Sequence, residues 1–359
     1  MALEEVSGQD LNWFFNQWYY KSGHPILEVK YDYDEANKKA LMTVSQVQEG
    51  DNIPRVYDLP FAVDIYMADG QKPIRQNVRL RQRTETFAFD APTKPKLVDF
   101  DGDRSLLAIK TDGHSEEEFM FMLKNASRYL ARIEALEALK TSDNPTANDL
   151  LKSALTDKFW AVREEAVQNV KYKNDPSVLD IVAKIASTDS RSTTRAAALS
   201  KLASTKDTKW ASVYRSVLEK EQAYPVISSA MQALYKVDAP AAIEVAKKFE
   251  NDDNSDLVSG VGSIYAENPK PEHISFFEKN LTKVDGMGSI NFVGSYLKVL
   301  DKTNVTDMVA KMTNLRDIAV NQAQSPWRRF CLHKSYFSTR AKRTQALAGD
   351  LKKNAQTKF

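Results

Sequence analysis

The spacing of apolar positions changes twice along the chain, and each change marks a new kind of structure. Leu11, Phe14, Phe15 and Trp18 fall at helical intervals and predict one apolar face of a short helix, capped by Ser7 or Asp10. Lys21-Ser22-Gly23-His24-Pro25 stops it, because glycine suits a C-terminal cap and proline bars continuation. From residue 26 the period becomes two. Leu27, Val29, Tyr31 and Tyr33 alternate with Glu28, Lys30 and Asp32, and a returning strand is predicted over Ala40–Gln48 after the turn Asp34–Lys39. Phe61, Val63, Ile65 and Met67 alternate again up to Asp69-Gly70, a hairpin signal. Further strands are predicted at Gln76–Arg83, Glu85–Phe89, Lys96–Phe100 and, after Asp101-Gly102, Leu106–Lys110. About seven short strands in this stretch fit a small antiparallel β-sandwich over residues 26–113.

From residue 114 to 359 the pattern is helical. Ser115-Glu116-Glu117-Glu118 is a capping box, and it predicts a long helix reaching about Lys140. Helices then recur between polar breaks such as Asp143-Asn144-Pro145, Asn174-Asp175-Pro176 and Asn268-Pro269. This part repeats itself. Ala166, Ala198 and Ala230 stand at the same place in three similar segments, thirty-two residues apart, and the register runs on to Gly262 and Gly294. Arg132-Ile133-Glu134-Ala135-Leu136 reads as an earlier copy, offset by thirty-one. A small residue at a fixed place in each second helix lets neighbouring helices approach closely. The pattern predicts an all-α solenoid of HEAT type, with Asp157 and Arg163 as the structural link between repeats.

Composition narrows the function. At 359 residues the chain exceeds one ordinary core and suggests two or three domains. Fifty basic and 48 acidic residues leave a formal net charge of +2, which gives no case for a nucleic-acid or polybasic membrane partner. No 18-residue apolar run is present, so no transmembrane segment is expected. The single cysteine, Cys331, rules out an intrachain disulfide and any multi-cysteine metal centre.

Catalytic motifs are scarce. His24, His114, His273 and His333 offer no local metal pair, and there is no H-E-x-x-H, P-loop, G-x-G-x-x-G or G-x-S-x-G. Cys331 and His333 are two residues apart on a predicted helix and point to different faces, which favours a structural thiol. Asp252, Asn254 and Asp256 alternate like calcium-loop ligands, but Leu257 stands where that loop needs glycine and Ser263 where it needs glutamate. Trp327-Arg328-Arg329 is either a helix start with solvated arginines or a carboxylate-binding cluster.

One stretch is more specific. Asp10-Leu11-Asn12-Trp13-Phe14-Phe15-Asn16-Gln17-Trp18, followed by Gly23-His24-Pro25-Ile26-Leu27-Glu28-Val29, resembles the end of the catalytic domain in the aminopeptidase N family of zinc metallopeptidases. There a D-x-x-x-F-F-x-Q-W-x-x-x-x-G-x-P pattern closes a thermolysin-like domain and leads into a β-sandwich. Tyr57-Asp58-Leu59-Pro60-Phe61-Ala62-Val63-Asp64-Ile65 and Lys96-Leu97-Val98-Asp99-Phe100-Asp101 are similar to that family's third domain. The resemblance is specific over residues 10–110 and architectural beyond.

The resemblance implies three parts: a remnant helix of a thermolysin-like domain at 1–25, a β-sandwich at 26–113 and a HEAT-like helical domain at 114–359. It implies that the zinc, its H-E-x-x-H histidines and glutamate, and the catalytic domain that partners this chain lie upstream. The chain itself is then expected to carry no catalytic, metal or cofactor residue. The helical domain of such enzymes limits access to the catalytic face, so a basic residue there would attract the carboxylate of a peptide substrate; Arg195, Arg328 and Arg329 are the candidates. The competing expectation is a non-catalytic HEAT-repeat scaffold that binds proteins.

Overall fold

The computed structural model describes residues 2–173, 175–284, 286–302, 308–330 and 332–333, so Cys331 lies outside the described residues. The chain divides into two compact units, Met1–Lys171 and Tyr172–Phe359.

The first unit opens with two short helices, α1 (Ala2–Ser7) and α2 (Asn12–Trp18). The N-cap position of α2 is Leu11, not Asp10; Asp10 accepts from the Asn12 amide at 2.9 Å in the turn that leads into the helix. Seven strands follow among the described residues: β1 (Ile26–Asp34), β2 (Lys39–Gln46), β3 (Leu59–Tyr66), β4 (Ile74–Leu80), β5 (Thr84–Asp90), β6 (Leu97–Asp99) and β7 (Ile109–Asp112). They form a sheet of order β5-β2-β1-β7 and a sheet of order β4-β3-β6. The predicted alternation supplies the core: Leu27 and Val29 of β1, Met42 and Val44 of β2, and Phe61, Val63 and Ile65 of β3 are buried together. One pair departs from antiparallel. β7 runs parallel to β1, with Ile26 opposite Ile109 and Val29 opposite Asp112, because the chain crosses from β6 in the other sheet before pairing.

The helices begin with the capping box as read: the Ser115 amide donates to Glu118 at 2.7 Å, and the Glu118 amide donates back to Ser115 Oγ. The expected single long helix is two, α3 (Glu116–Asn125) and α4 (Tyr129–Leu139). Arg132 explains the break, since its guanidinium takes the carbonyls of Ala126 and Ser127 that a continuous helix would have used internally. The unit ends with α5 (Pro145–Ser153) and α6 (Trp160–Asn169).

The second unit consists of helix pairs: α7 (Val178–Thr188) with α8 (Ser192–Ser204), α9 (Ala211–Lys220) with α10 (Tyr224–Tyr235), α11 (Ala239–Lys248) with α12 (Ser255–Glu267), and α13 (His273–Asn280) with α14 (Met287–Lys302), followed by α15 (Met308–Val320). Helices α6, α8 and α10 begin at residues 160, 192 and 224, which reproduces the thirty-two-residue register. Ala166, Ala198 and Ala230 are fully buried. At Gly262 a Cβ would come within 2.8 Å of the Phe292 ring, so the position requires glycine. The register loses its meaning at Gly294, which is exposed with open space where a Cβ would go; Phe292 and Val293 carry the burial there instead. The architecture is a small β-sandwich followed by a HEAT-like solenoid.

Candidate functional site

Three groups of residues stand out. The first fixes the aromatic helix α2 to the sandwich. Gln17 is buried and meets the backbone of Asp58 at both ends of its amide: Nε2 donates to the Asp58 carbonyl at 2.9 Å, and Oε1 accepts from the Asp58 amide at 2.8 Å. Trp18 lies against Tyr57 at 5.2 Å, and the Arg79 guanidinium, gripped by the Asp58 carboxylate, sits 4.6 Å over the Trp13 ring. The docked side of α2 is therefore Trp13, Gln17 and Trp18, not the expected face of Leu11, Phe14, Phe15 and Trp18. A polar residue carries the docking because Asp58 offers two backbone groups that need partners. Phe14, Tyr19 and Tyr20 remain exposed on the helix and the turn after it.

The second group ties the sandwich to α4. The Arg104 side chain is buried, and its backbone is left-handed, with φ 54°. It pairs with Asp99 at 2.8 Å and with both oxygens of Glu134. Lys110 joins Glu134 at 3.0 Å to Asp112 at 2.9 Å. The enclosed His114 ring stacks on Tyr31 at 4.0 Å, with Nδ1 2.6 Å from Asp112 and Nε2 3.1 Å from the Val98 carbonyl. Burial pushes the Asp112 carboxyl up, but His114 and Lys110 outweigh it and hold the group well below the usual carboxylate range. Burial raises Asp99 against the pull of Arg104, and it raises the Tyr31 hydroxyl with help from the Asp112 and Asp99 charges. A cavity of about 200 Å³ beside this network is lined by Phe100, Arg104, Lys110, Leu130 and Glu134.

The third group belongs to the repeats. Arg132 makes a bidentate pair with Asp157 at 2.9 and 3.0 Å, and Arg163 donates to the Asp157 carbonyl at 2.9 Å. The link to the Asp157 side chain therefore comes from Arg132 of the preceding repeat. Arg195 repeats this arrangement in the second unit: it donates to the Asp189 carbonyl at 2.7 Å and pairs with Glu221 at 2.8 Å. It lines a cavity of about 380 Å³ with Thr188, Asp189, Ser216, Lys220 and Glu221. The guanidinium proposed for a peptide carboxylate is thus already held by an acid of the chain. Arg328 donates to Gln324 at 2.7 Å and to the Val284 carbonyl at 3.4 Å, and Arg329 to the Ala319 carbonyl at 3.3 Å. Both are half-buried. Gln324, Val284 and Ala319 are thus partners different from the Asp189 and Glu221 that hold Arg195.

With this geometry in view, similarity to known proteins becomes informative. Residues 117–203 match the family model for HEAT repeats. Aminopeptidase N of Escherichia coli is 26% identical over 156 residues, 38% of this chain and 17% of that protein. Aminopeptidase N of Haemophilus influenzae is 28% identical over 154 residues, with the same shares of each chain. The solved structure of Legionella pneumophila aminopeptidase A in complex with aspartic acid superposes with a TM-score of 0.60, covering 93% of this chain and 46% of that one at 16% identity. The chain resembles the C-terminal region of an aminopeptidase N-type protein. It spans under a fifth of the length of the two aminopeptidases N and about half of the solved chain.

Among its described residues, this aminopeptidase N-like region offers no site for a resident zinc. Among the described residues no three His, Cys, Asp or Glu side chains are grouped to hold a metal ion. His114 and His273 are each stacked on a tyrosine, whereas His24 and His333 are exposed. Sequence reasoning missed Gln17, Arg79, Arg104 and Arg132 as the residues that position these elements. Two of them carried a signal: Gln17 stands in the F-F-x-Q-W pattern, and the offset copy that starts with Arg132 aligns with Arg163.

Proposed function

We propose that this chain is the non-catalytic C-terminal region of a zinc-dependent aminopeptidase that removes N-terminal residues from peptides. The sandwich serves as the spacer, and the helical domain gates access of the peptide substrate. The observation that carries this reading is the docking of the Asp10–Trp18 helix on the sandwich through Gln17, Trp13 and Trp18. That helix is the segment that resembles the close of the family's catalytic domain. A catalytic domain is the partner suited to its outward rings, Phe14, Tyr19 and Tyr20, which would otherwise leave apolar surface in water.

The reading makes a direct demand on the gene. The coding sequence upstream is expected to hold H-E-x-x-H and a further downstream glutamate in frame with this chain. An intact upstream frame lacking that motif would overturn the reading in favour of the HEAT-repeat interaction scaffold.

A further inference from the structure

Helix α13 opens on His273, whose side chain is buried at the joint with α12. Its ring lies flat on Tyr265 of α12, with centroids 3.8 Å apart and planes within 6°. Phe276, one turn later, meets Tyr265 edge-on at 5.3 Å. His273 Nδ1 is enclosed and has no hydrogen-bond partner among the described residues. The Tyr265 hydroxyl is committed to Glu250, which leaves the Tyr265 backbone carbonyl as the nearby group that favours the charged ring. The charged and titratable groups around the ring are Tyr265 and Glu250 from the α11–α12 side and Lys270 and Glu272 from the lead into α13. On its other side α13 meets α14 through Phe277, Phe292 and Tyr296, whose hydroxyl reaches Glu278.

We propose that the α12–α13 stack is an acid-sensitive joint: a proton on His273 places a charge on a ring buried face-on against Tyr265, and α13 is released from α12. Desolvation penalises the charged ring. Burial pushes the His273 titration below the ordinary histidine range and Lys270 adds to this, outweighing the opposite pull of Glu272, Glu250 and the Tyr265 backbone carbonyl. The sign follows. A histidine depressed in the folded state stabilises the joint fully above an ordinary histidine pKa, about 6.5, and that contribution is lost as pH falls below it. Release would uncover Phe276 and Phe277, an apolar surface hidden at neutral pH. This inference is independent of the aminopeptidase reading.

Amide hydrogen exchange of the full chain at about pH 7.5 and about pH 5, corrected for intrinsic rates, tests it. Exchange in α13 is expected to quicken at the acid pH by up to about 30-fold, the protonated-to-neutral ratio of an ordinary histidine there. Helices α8 and α10 should be unaffected, and His273→Phe should abolish the effect. No acid effect in the parent chain, or the same effect in His273→Phe, overturns the proposal. Should that variant fail to fold, NMR titration of His273 in the parent chain decides. A midpoint below about 6.5 shared by the α13 amides supports the joint, and a midpoint at or above it refutes it.

Discussion

Asp112 shows how much one buried side chain does here. It receives Lys110 and His114, and through them the end of β7 is fixed to Glu134 on α4 and to the Val98 carbonyl on β6. Its carboxyl is held below the ordinary range, so its stabilising contribution is present above an unfolded-state pKa near 4 and is lost as pH falls through that value toward the folded one. Asp112→Asn leaves Lys110 and His114 short of an acid and should cost about 3–5 kcal/mol at pH 7. Urea melts of the two proteins should converge as pH drops below about 4. A difference that stays constant with pH would mean that Asp112 acts by packing alone. None of this was legible in the sequence: Asp112 and Glu134 lie on separate elements, and nothing local in Lys110-Thr111-Asp112 distinguishes a buried network from a solvated strand.

At the scale of elements, legibility followed locality. The alternation in β1 and β2 and the Ser115–Glu118 capping box are short-range patterns, and both were readable. The break between α3 and α4 was not, because Ala126-Ser127-Arg128 contains neither proline nor glycine and the carbonyls it frees are satisfied by Arg132 further on. The parallel pairing of β7 depends on a partner some eighty residues away, beyond any periodicity argument. The small-residue register was readable through Ala166, Ala198 and Ala230, where close helix packing enforces it, and failed at Gly294, where nothing does. This contrast gives a paired prediction. Ala198→Leu and Ala230→Leu should each cost about 1–3 kcal/mol through overpacking. Gly294→Ala should be neutral or stabilise by about 0.5–1 kcal/mol, since it fills open space within a helix. Thermal melts that rank the three alike would contradict the register.

For the molecule as a whole, the order of parts carries the functional argument: an aromatic helix docked on a sandwich, then HEAT-like helices, in a chain similar to part of the aminopeptidases N. The arginines expected to meet a peptide carboxylate are engaged within the chain. Arg195 serves the repeat ladder in the way Arg132 does, so any gating by the helical domain would rest on its shape more than on a free guanidinium. The docked α2 face was legible as a family signature and illegible as a contact, since Gln17 reads as a polar position until Asp58 is placed against it. The most direct measurement is zinc content and aminoacyl-anilide hydrolysis of this chain beside those of a longer protein that carries the upstream sequence. The account predicts stoichiometric zinc and turnover in the longer protein and background values for both in this chain. Metal-dependent turnover by this chain alone, or a longer protein devoid of zinc and activity, would contradict it.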